Sequence, residues 1–279
     1  MTPKVSIVVP CWNAGSFLPG LFESLDAQIF RDFEVIVVDD GSTDAATLSA
    51  LDELPADVRL VRQENRGLSG ARNSGFRAAA ADLVLPLDCD DRLEPEFLAL
   101  GVARLAGQPA LDFVFSHMRL TGARTGTLER RFNRFDQLFL NQLPYSLLMR
   151  KEAWARVDGY DETMRDGYED WDFNVRLIRT GSIGAAISAE PLSIYRVAGD
   201  GMLLSKSARK HGALWRKVRQ KHPGAYRPDA LLALHRREGR GKVALPTATA
   251  LLVAAQLPDA WFGRLYQALL ASRARWSNG

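Results

Sequence analysis

Val5-Ser6-Ile7-Val8-Val9, which ends at Pro10, is the stretch that decides the fold, together with a second β-branched run at residues 33–38. Both runs are almost continuously apolar, as is typical of strands buried on both faces of a parallel sheet. Between them, residues 17–25 repeat apolar side chains at the spacing of one helical face. The order strand, helix, strand predicts an α/β fold.

The same alternation continues along the first 110 residues. Ser42-Thr43-Asp44 offers N-cap chemistry for a helix after the second strand. Apolar runs and helical spacing then predict further strands and helices, so we expect a mostly parallel central sheet flanked by helices on both faces. Beyond residue 110 the alternation loosens. The later predicted strands and helices are residues 58–61, 68–81, 83–87, 95–105, 113–115, 146–149, 151–157 and 171–178.

Composition places the chain among ordinary globular proteins. Its 279 residues are 47% apolar and 25% charged, which excludes disordered and collagen-like classes. Two cysteines, Cys11 and Cys89, are too few for a disulfide framework, and no signal-peptide pattern opens the chain, so we expect a cytoplasmic setting. The longest weakly polar run, at residues 243–257, falls short of the roughly 20 apolar residues that span a bilayer.

The net charge of +3 conceals two opposed regions. Residues 1–200 carry 21 Lys and Arg against 30 Asp and Glu, whereas residues 201–279 carry 15 against 3. The acidic region is suited to recruiting cations and the basic tail to meeting anions. For the tail, two interpretations stay open: peripheral contact with the inner face of a membrane, or a solvated helical face. No nucleic-acid-binding module accompanies its charges, so we expect no nucleic acid partner.

Polar side chains follow three of the predicted strands, where ligands bind in open parallel sheets. Carboxylates crowded at one edge repel each other, and a hard divalent cation such as Mg²⁺ would relieve that repulsion. The alternative is that these aspartates only end strands and cap helices. The strand-end residues are Pro10, Trp12 and Asn13; Asp39 and Asp40; and Asp88, Asp90 and Asp91.

Two other segments carry weaker signals. Residues 65–75 place glycines and Arg72 at a helix start, which favours phosphate, but they match neither G-x-x-x-x-G-K-[ST] nor G-x-G-x-x-G. This segment therefore lacks the loops that define P-loop ATPases and Rossmann dehydrogenases. Residues 166–172 form a second acidic cluster at a helix start, where an acid either serves as a general base or only complements the helix dipole.

Four segments carry a family resemblance, namely residues 5–13, residues 37–44, Leu87-Asp88-Cys89-Asp90-Asp91 and Glu169-Asp170-Trp171-Asp172. In this order they resemble the family 2 glycosyltransferases with the GT-A fold. The resemblance implies a catalytic domain at residues 1–200, with a nucleotide-binding half at 1–110 and an acceptor half at 111–200. A basic helical C-terminal extension at 201–279 would follow.

The resemblance also implies an activity and roles for single residues. The reaction would be an inverting transfer of a sugar, assisted by Mg²⁺ or Mn²⁺, in surface polysaccharide or glycolipid synthesis. The donor would be a nucleoside-diphosphate sugar, a UDP-sugar first, and the acceptor a glycan or lipid-linked hydroxyl. The implied residues are Asp170 and Glu169 for catalysis; Pro10, Trp12, Asn13, Asp40, Arg72, Asp88 and Arg196 for the nucleotide sugar; and Asp90 and Asp88 for the metal.

Other functions stay open at this point. A nucleotidyltransferase shares nucleotide-binding α/β domains and metal carboxylates, and a non-catalytic nucleotide-sugar-binding protein would share the pocket. The less regular region at residues 117–145 is expected to select the acceptor. Its arginines, Arg130, Arg131 and Arg134, either meet an anionic acceptor or lie in solvent.

Overall fold

Strands and helices alternate through the first half of the chain and then become less regular. The computed structural model describes residues 2–198, 210–239, 241–258, 261–262 and 264–266. The strands of this part are β1 (Val5–Cys11), β2 (Phe33–Asp40), β3 (Val58–Gln63), β4 (Leu83–Pro86), β5 (Arg92–Leu93), β6 (Phe113–Gly122), β7 (Gly126–Leu128), β8 (Leu148–Arg150) and β9 (Gly184–Val197). The helices are α1 (Leu18–Asp26), α2 (Ala45–Asp52), α3 (Gly67–Ala78), α4 (Phe97–Gly107), α5 (Arg134–Gln137), α6 (Lys151–Arg156), α7 (Glu169–Arg179), α8 (His211–Lys221), α9 (Pro228–Glu238) and α10 (Leu245–Ala254).

All the strands of this part belong to one sheet, in the order β3-β2-β1-β4-β8-β6-β9-β5, with β7 paired to β6. The four strands β1 to β4 pair in parallel. Next to them β8 runs antiparallel to both β4 and β6, and β6 is parallel to β9. The predicted α/β fold is confirmed: the sheet is fully parallel from β1 to β4 and mixed beyond them.

Three strands, β5, β7 and β9, were missed in the sequence prediction, and β6 extends beyond the predicted residues 113–115. β5 and β7 have two and three residues, too few to show a strand period. β9 begins at Gly184, in a run of small residues without a strand pattern, and its register with β6 shifts where Pro191 faces His117. These pairings are set by tertiary contacts and not by local sequence.

Helix α3 packs unusually close to the sheet because Gly75 has no side chain. A Cβ at this position would lie 2.2 Å from Cγ1 of Val8 in β1. Because α3 begins at Gly67, just after β3, its first turns stand at the same edge as the carboxyl ends of β1, β2 and β4. The close contact thereby brings Arg72 to the edge where ligands bind in such sheets.

The C-terminal helices pack onto the rest of the chain through one apolar cluster. The cluster joins Phe135 and Trp171, from α5 and α7, to Trp215 of α8 and Leu251 of α10. The last carbonyls of a helix lack hydrogen-bond donors within the helix. At the end of α5, aromatic N–H and O–H groups donate to these carbonyls. The bonds run from Trp171 to Gln137 O, from Trp215 and Tyr226 to Leu138 O, and from Tyr266 to Phe139 O, at 2.7–3.0 Å.

In the part of the chain that the structure describes, no helix combines the length and the hydropathy that crossing a bilayer would need.

A buried carboxylate in α5 also holds the segment that leads into α10. Asp136 is 1% exposed and accepts hydrogen bonds from the backbone N–H groups of Lys242 and Val243. The Asp136→Ala variant removes the buried carboxylate that accepts these hydrogen bonds, so we expect it to be less stable by roughly 1–3 kcal/mol. Thermal unfolding and limited proteolysis beyond residue 238 measure the effect.

The matched control is Asp229→Ala. Asp229 is exposed and pairs only with Arg227 two residues away among the described contacts, so its loss should leave stability within about 0.5 kcal/mol. Equal melting temperatures for the two variants would contradict a docking role for Asp136.

Candidate active site

A cavity of about 380 Å³ opens beside the carboxyl edge of the sheet. Its wall includes four of the residues that the sequence singled out, namely Arg72, Asp88, Glu169 and Asp170. They come from α3, from the loop after β4 and from the first turn of α7. The fold thus gathers into one wall residues that lie up to about a hundred positions apart in the chain.

Arg72 is the centre of that wall. Its side chain is 1% exposed and forms ion pairs with Asp88 at 2.9 Å and with Glu169 at 3.1 Å. The rings of Tyr145 and Tyr160 lie 4.9 and 5.4 Å from the guanidinium carbon. Burial disfavours the charged guanidinium, but the two carboxylates outweigh it and raise the pKa of Arg72.

Glu169 is buried beside this guanidinium. Burial, followed by the negative charge of Asp170, raises the pKa of Glu169 to about 7, although Arg72 acts in the opposite direction. A carboxyl group that titrates near neutral pH within a cavity is typical of functional sites.

Asp170 stands half-buried at the start of α7, and both of its oxygens are held. Asn141 donates its side-chain N–H to Oδ2 at 2.8 Å, and the backbone N–H of Trp171 donates to Oδ1 at 2.7 Å. The turn before it is strained, since the non-glycine Tyr168 has φ of 64°. The Tyr168 hydroxyl lies 2.6 Å from Nδ1 of His211 in α8, so a C-terminal helix supports the strained turn.

The loop after β4 carries the candidate metal ligands. Burial, and next the charge of Asp88, raises the pKa of both Asp90 and Asp91. Asp91 is engaged, because it accepts from the Tyr145 hydroxyl at 2.6 Å and from the backbone N–H of Arg196 at 2.8 Å. Asp90 has a weaker partner, the Arg196 guanidinium at 3.4 Å.

The donor set fits a cation that is held partly by its substrate. Among the described residues, no three His, Cys, Asp or Glu side chains are grouped as a complete metal cage. Mg²⁺ and related ions typically use one or two protein carboxylates, with phosphate oxygens and water in the other positions. Asp88 and Asp90 supply such a pair, and the pKa of Asp90 is raised first by its burial and next by the negative charge of Asp88.

Among the described residues, the carboxylates that follow the three strands form no group of three that could hold a metal, and Asp39 and Asp40 have partners of their own. Oδ1 of Asp39 accepts from the backbone N–H of Ser42 at 2.9 Å. Both oxygens of Asp40 accept from the backbone N–H groups of Arg66 and Gly67, each at 2.8 Å. Asp40 therefore shapes the loop that begins α3.

The other predicted nucleotide residues lie at the end of β1, outside the lining of the cavity. Pro10 is buried within the strand, and Trp12 is 57% exposed. Asn13 has φ of 50°, and its side-chain oxygen accepts from the backbone N–H of Thr43 at 2.7 Å. This bond ties the end of β1 to the loop after β2. The contacts of these residues with a nucleotide, like those of Asp40, Arg72 and Arg196, stay predictions.

Sequence reasoning missed several residues of the cavity wall. Asn141 orients Asp170, and Tyr145 bonds two points of the β4 loop, its hydroxyl donating to Asp91 and accepting from the backbone N–H of Asp88. His211 and Tyr266 reach the wall from the C-terminal helices, and burial lowers the pKa of His211 to about 4. A single polar or aromatic residue in an irregular region gives no spacing signal, so these positions become visible only in the fold.

Comparison with known proteins points to one family. A family model described as glycosyl transferase family 2 matches residues 6–180, more than half of the chain. An uncharacterized glycosyltransferase of Haemophilus influenzae is 28% identical over 200 residues, which cover 68% of this chain and 67% of that protein. The chondroitin synthase of Escherichia coli is 28% identical over 198 residues, which cover 64% of this chain but only 27% of the synthase.

Solved structures share the fold. TarS 1–349 of S. aureus, in complex with UDP-GlcNAc, has a TM-score of 0.66 at 18% identity and covers 98% of this chain and 92% of its own. The mannosyltransferase PcManGT of Pyrobaculum calidifontis, in complex with GDP-Man and Mn²⁺, has a TM-score of 0.61 at 23% identity. This match covers 100% of the present chain and 81% of PcManGT.

The raised pKa of Glu169 predicts a pH-dependent stability. A carboxyl group with a raised pKa in the folded state contributes stability that is full below its ordinary value of 4.5 and is lost as pH rises through about 7. Glutamine is neutral throughout, so the melting temperature of wild type should fall relative to that of Glu169→Gln between about pH 5 and pH 8.5. For a chain of this size, each kcal/mol corresponds to about 2–4 °C.

Subtracting the two melting curves isolates Glu169, because every other titrating group is common to both proteins. A difference in melting temperature that stays constant across this pH range would contradict the assignment.

Proposed function

The chain belongs to glycosyl transferase family 2, and from this premise we propose that it transfers a sugar from a nucleoside-diphosphate sugar to an acceptor hydroxyl with inversion. We assign Asp170 as the general base. The observation that carries the proposal is the position of Asp170: its carboxylate lines the cavity, half-buried, and Asn141 and the first turn of α7 hold it in place. Glu169 would assist by holding Arg72 against the same wall.

Inversion requires the acceptor oxygen to approach the anomeric carbon from the face opposite the leaving group. In the proposed step a bond forms between these two atoms while the bond to the diphosphate oxygen breaks, and its electron pair leaves with the nucleoside diphosphate. Asp170 takes the proton of the attacking hydroxyl. A positioned base of this kind typically contributes about 10²–10⁴-fold in rate.

The donor would bind across the ends of β1, β2 and β4. Pro10, Trp12, Asn13 and Asp40 would line the nucleotide side, and Arg196 would approach the diphosphate. Support comes from the shared fold with structures bound to UDP-GlcNAc and to GDP-Man. Between these two donor classes we favour a UDP-sugar.

Asp90 and Asp88 would hold a divalent cation, Mg²⁺ or Mn²⁺. When bound, such a cation stabilises the negative charge that grows on the leaving diphosphate. Support for it comes from the two carboxylates that the loop after β4 presents and from the Mn²⁺ in PcManGT. Arg72 contributes positive charge to the same loop through Asp88 and keeps that carboxylate oriented.

Family membership sets aside the nucleotidyltransferase and the non-catalytic binding protein. The similarity to a chondroitin synthase favours a role in polysaccharide synthesis, with a glycan or lipid-linked acceptor. We also propose that the basic tail contacts a membrane, through those of its basic side chains that form no ion pair within the protein.

Replacing the base tests the mechanism. Hydrolysis of UDP- and GDP-sugars with and without Mn²⁺ first identifies the donor. With that donor, Asp170→Asn should lower kcat about 10²–10⁴-fold, while the Kd for the nucleoside diphosphate changes less than about threefold, because Asn keeps the shape but takes no proton.

The matched control is Asp166→Asn. Asp166 lies four residues away, exposed and paired with Lys210, so the same change of charge should leave kcat close to wild type. Turnover of Asp170→Asn within tenfold of wild type would refute the assignment of the base.

The proposed metal site predicts a coupling between metal and nucleotide. Mn²⁺ should tighten binding of the nucleoside diphosphate to wild type, and a chelator should remove this gain together with turnover. Asp90→Asn should bind the nucleotide equally with and without Mn²⁺, whereas the exposed control Asp52→Asn should retain the gain. Calorimetric titration measures both, and a full Mn²⁺ effect in Asp90→Asn would exclude Asp90 as a ligand.

A further inference from the structure

The charges around the cavity are unevenly paired. Arg72 neutralises Asp88 and Glu169 through two ion pairs. The other arginine of the wall is Arg130, and no carboxylate of the described residues lies within ion-pair distance of it. Arg72 therefore has two carboxylates at ion-pair distance, whereas Arg130 has none among the described residues.

The contacts of Arg130 are weak for a guanidinium with five N–H donors. Nε donates to the thioether sulfur of Met118 at 3.3 Å, and Nη1 donates to the carbonyl of Asn141 at 3.2 Å. Within the described part of the chain, Nη2 has no hydrogen-bond partner. Burial lowers the pKa of Arg130, and Asp170 opposes that effect only as a more distant charge. A partly buried guanidinium with only two weak hydrogen-bond partners among the described residues keeps donors available for an anionic ligand.

The neighbouring arginines differ from Arg130, because each of them has a carboxylate partner. Arg131 is exposed and pairs with Glu129, and Arg134 pairs with Glu238. Neither lines the cavity. The backbone N–H of Arg130 donates to Nδ1 of His117, which fixes the chain at this point.

Arg130 and Asp170 are also linked through one residue. Asn141 accepts from Arg130 with its backbone carbonyl and donates to Asp170 with its side chain. Asn141 therefore bridges Arg130 and the proposed base Asp170, and Arg130 lies on the side of the acceptor half. A ligand group bound by Arg130 would lie beside the position where the attacking hydroxyl must be.

We propose that the acceptor carries an oxyanion, a carboxylate or a phosphate, close to the hydroxyl that receives the sugar, and that Arg130 binds this group. The inference rests on the proposed function, because it assigns the cavity to the acceptor. The planar guanidinium pairs with either oxyanion through two parallel hydrogen bonds. The rival role is a positioning one, in which Arg130 acts only on Asn141 and the carboxylate of Asp170.

Binding of three sugar probes tests the proposal without requiring turnover. They are methyl β-glucuronide, methyl β-glucoside 6-phosphate and neutral methyl β-glucoside, each titrated by NMR into protein saturated with UDP. Wild type should bind one of the anionic probes roughly 10- to 100-fold tighter than the neutral one. Which anion is preferred separates a carboxylate-bearing acceptor from a phosphate-bearing one.

The preference should disappear in Arg130→Gln, persist in part in Arg130→Lys, and remain complete in the control Arg131→Gln, which makes the same change of charge on the next residue. No binding of any probe, equal binding of all three by wild type, or a preference that survives Arg130→Gln would overturn the proposal. Melting temperatures confirm that each variant is folded.

Hydrolysis of the donor tests the rival positioning role of Arg130, and it also tests the proposed function separately from the anion site. A shifted pH profile of hydrolysis in Arg130→Gln would show that Arg130 acts on Asp170, and would overturn the inference, whereas a profile of wild-type shape supports it. If wild type hydrolyses no nucleotide sugar, the proposed function fails, but the probe titrations still decide whether Arg130 is an anion site.

Discussion

The buried guanidinium of Arg72 is the interaction on which the arrangement of the site depends. It is held between Asp88, after β4, and Glu169, at the start of α7, and so joins three segments that are distant in the chain. Removing a charge from water costs several kcal/mol, and only well-placed opposite charges offset that cost. The three segments are therefore constrained together, because displacement of either carboxylate would leave a buried cation without compensation.

The ion pair between Arg72 and Glu169 also helps to fix the first turn of α7, which carries Asp170. The residues of Glu169-Asp170-Trp171-Asp172 point in four directions, and each has its own anchor. Glu169 binds Arg72, Trp171 donates to the carbonyl of Gln137, and Asp172, fully buried, binds His222 and Lys221. Glu169 and Asp170 both line the cavity, but only Asp170 has no ion-pair partner among the described residues. A helix start fixed on three sides leaves the fourth side chain little freedom, which is what a positioned general base needs.

The parts of this arrangement that the sequence could predict are those set by local pattern. Parallel strands end at one edge, so Asp40, Asp88 and Asp90 could be placed at that edge from the strand runs alone, and the N-cap of α2 at Asp44 is confirmed by its bond to Thr47. The partners of those residues were not predictable. That Asp40 would bind the backbone of Arg66 and Gly67, or that Asn141 would hold Asp170, depends on packing between segments that carry no shared spacing.

The opposed charges of the two regions have a structural cause in the same contacts. Lys210, just before α8, and Lys221, within it, pair with acidic residues of the region 1–200: Lys210 binds Asp166, and Lys221 binds Asp161 and Asp172. The exposed pair contributes little, but Asp172 is buried and cannot remain ionised at low cost without these cations. Burial and the hydrogen bonds from His222 and Lys221 act on it in opposite directions, and the net effect lowers the pKa of Asp172. Part of the positive charge near the C-terminus therefore serves to dock the helices that support the turn before Asp170. A membrane or an anionic ligand would meet only the remainder.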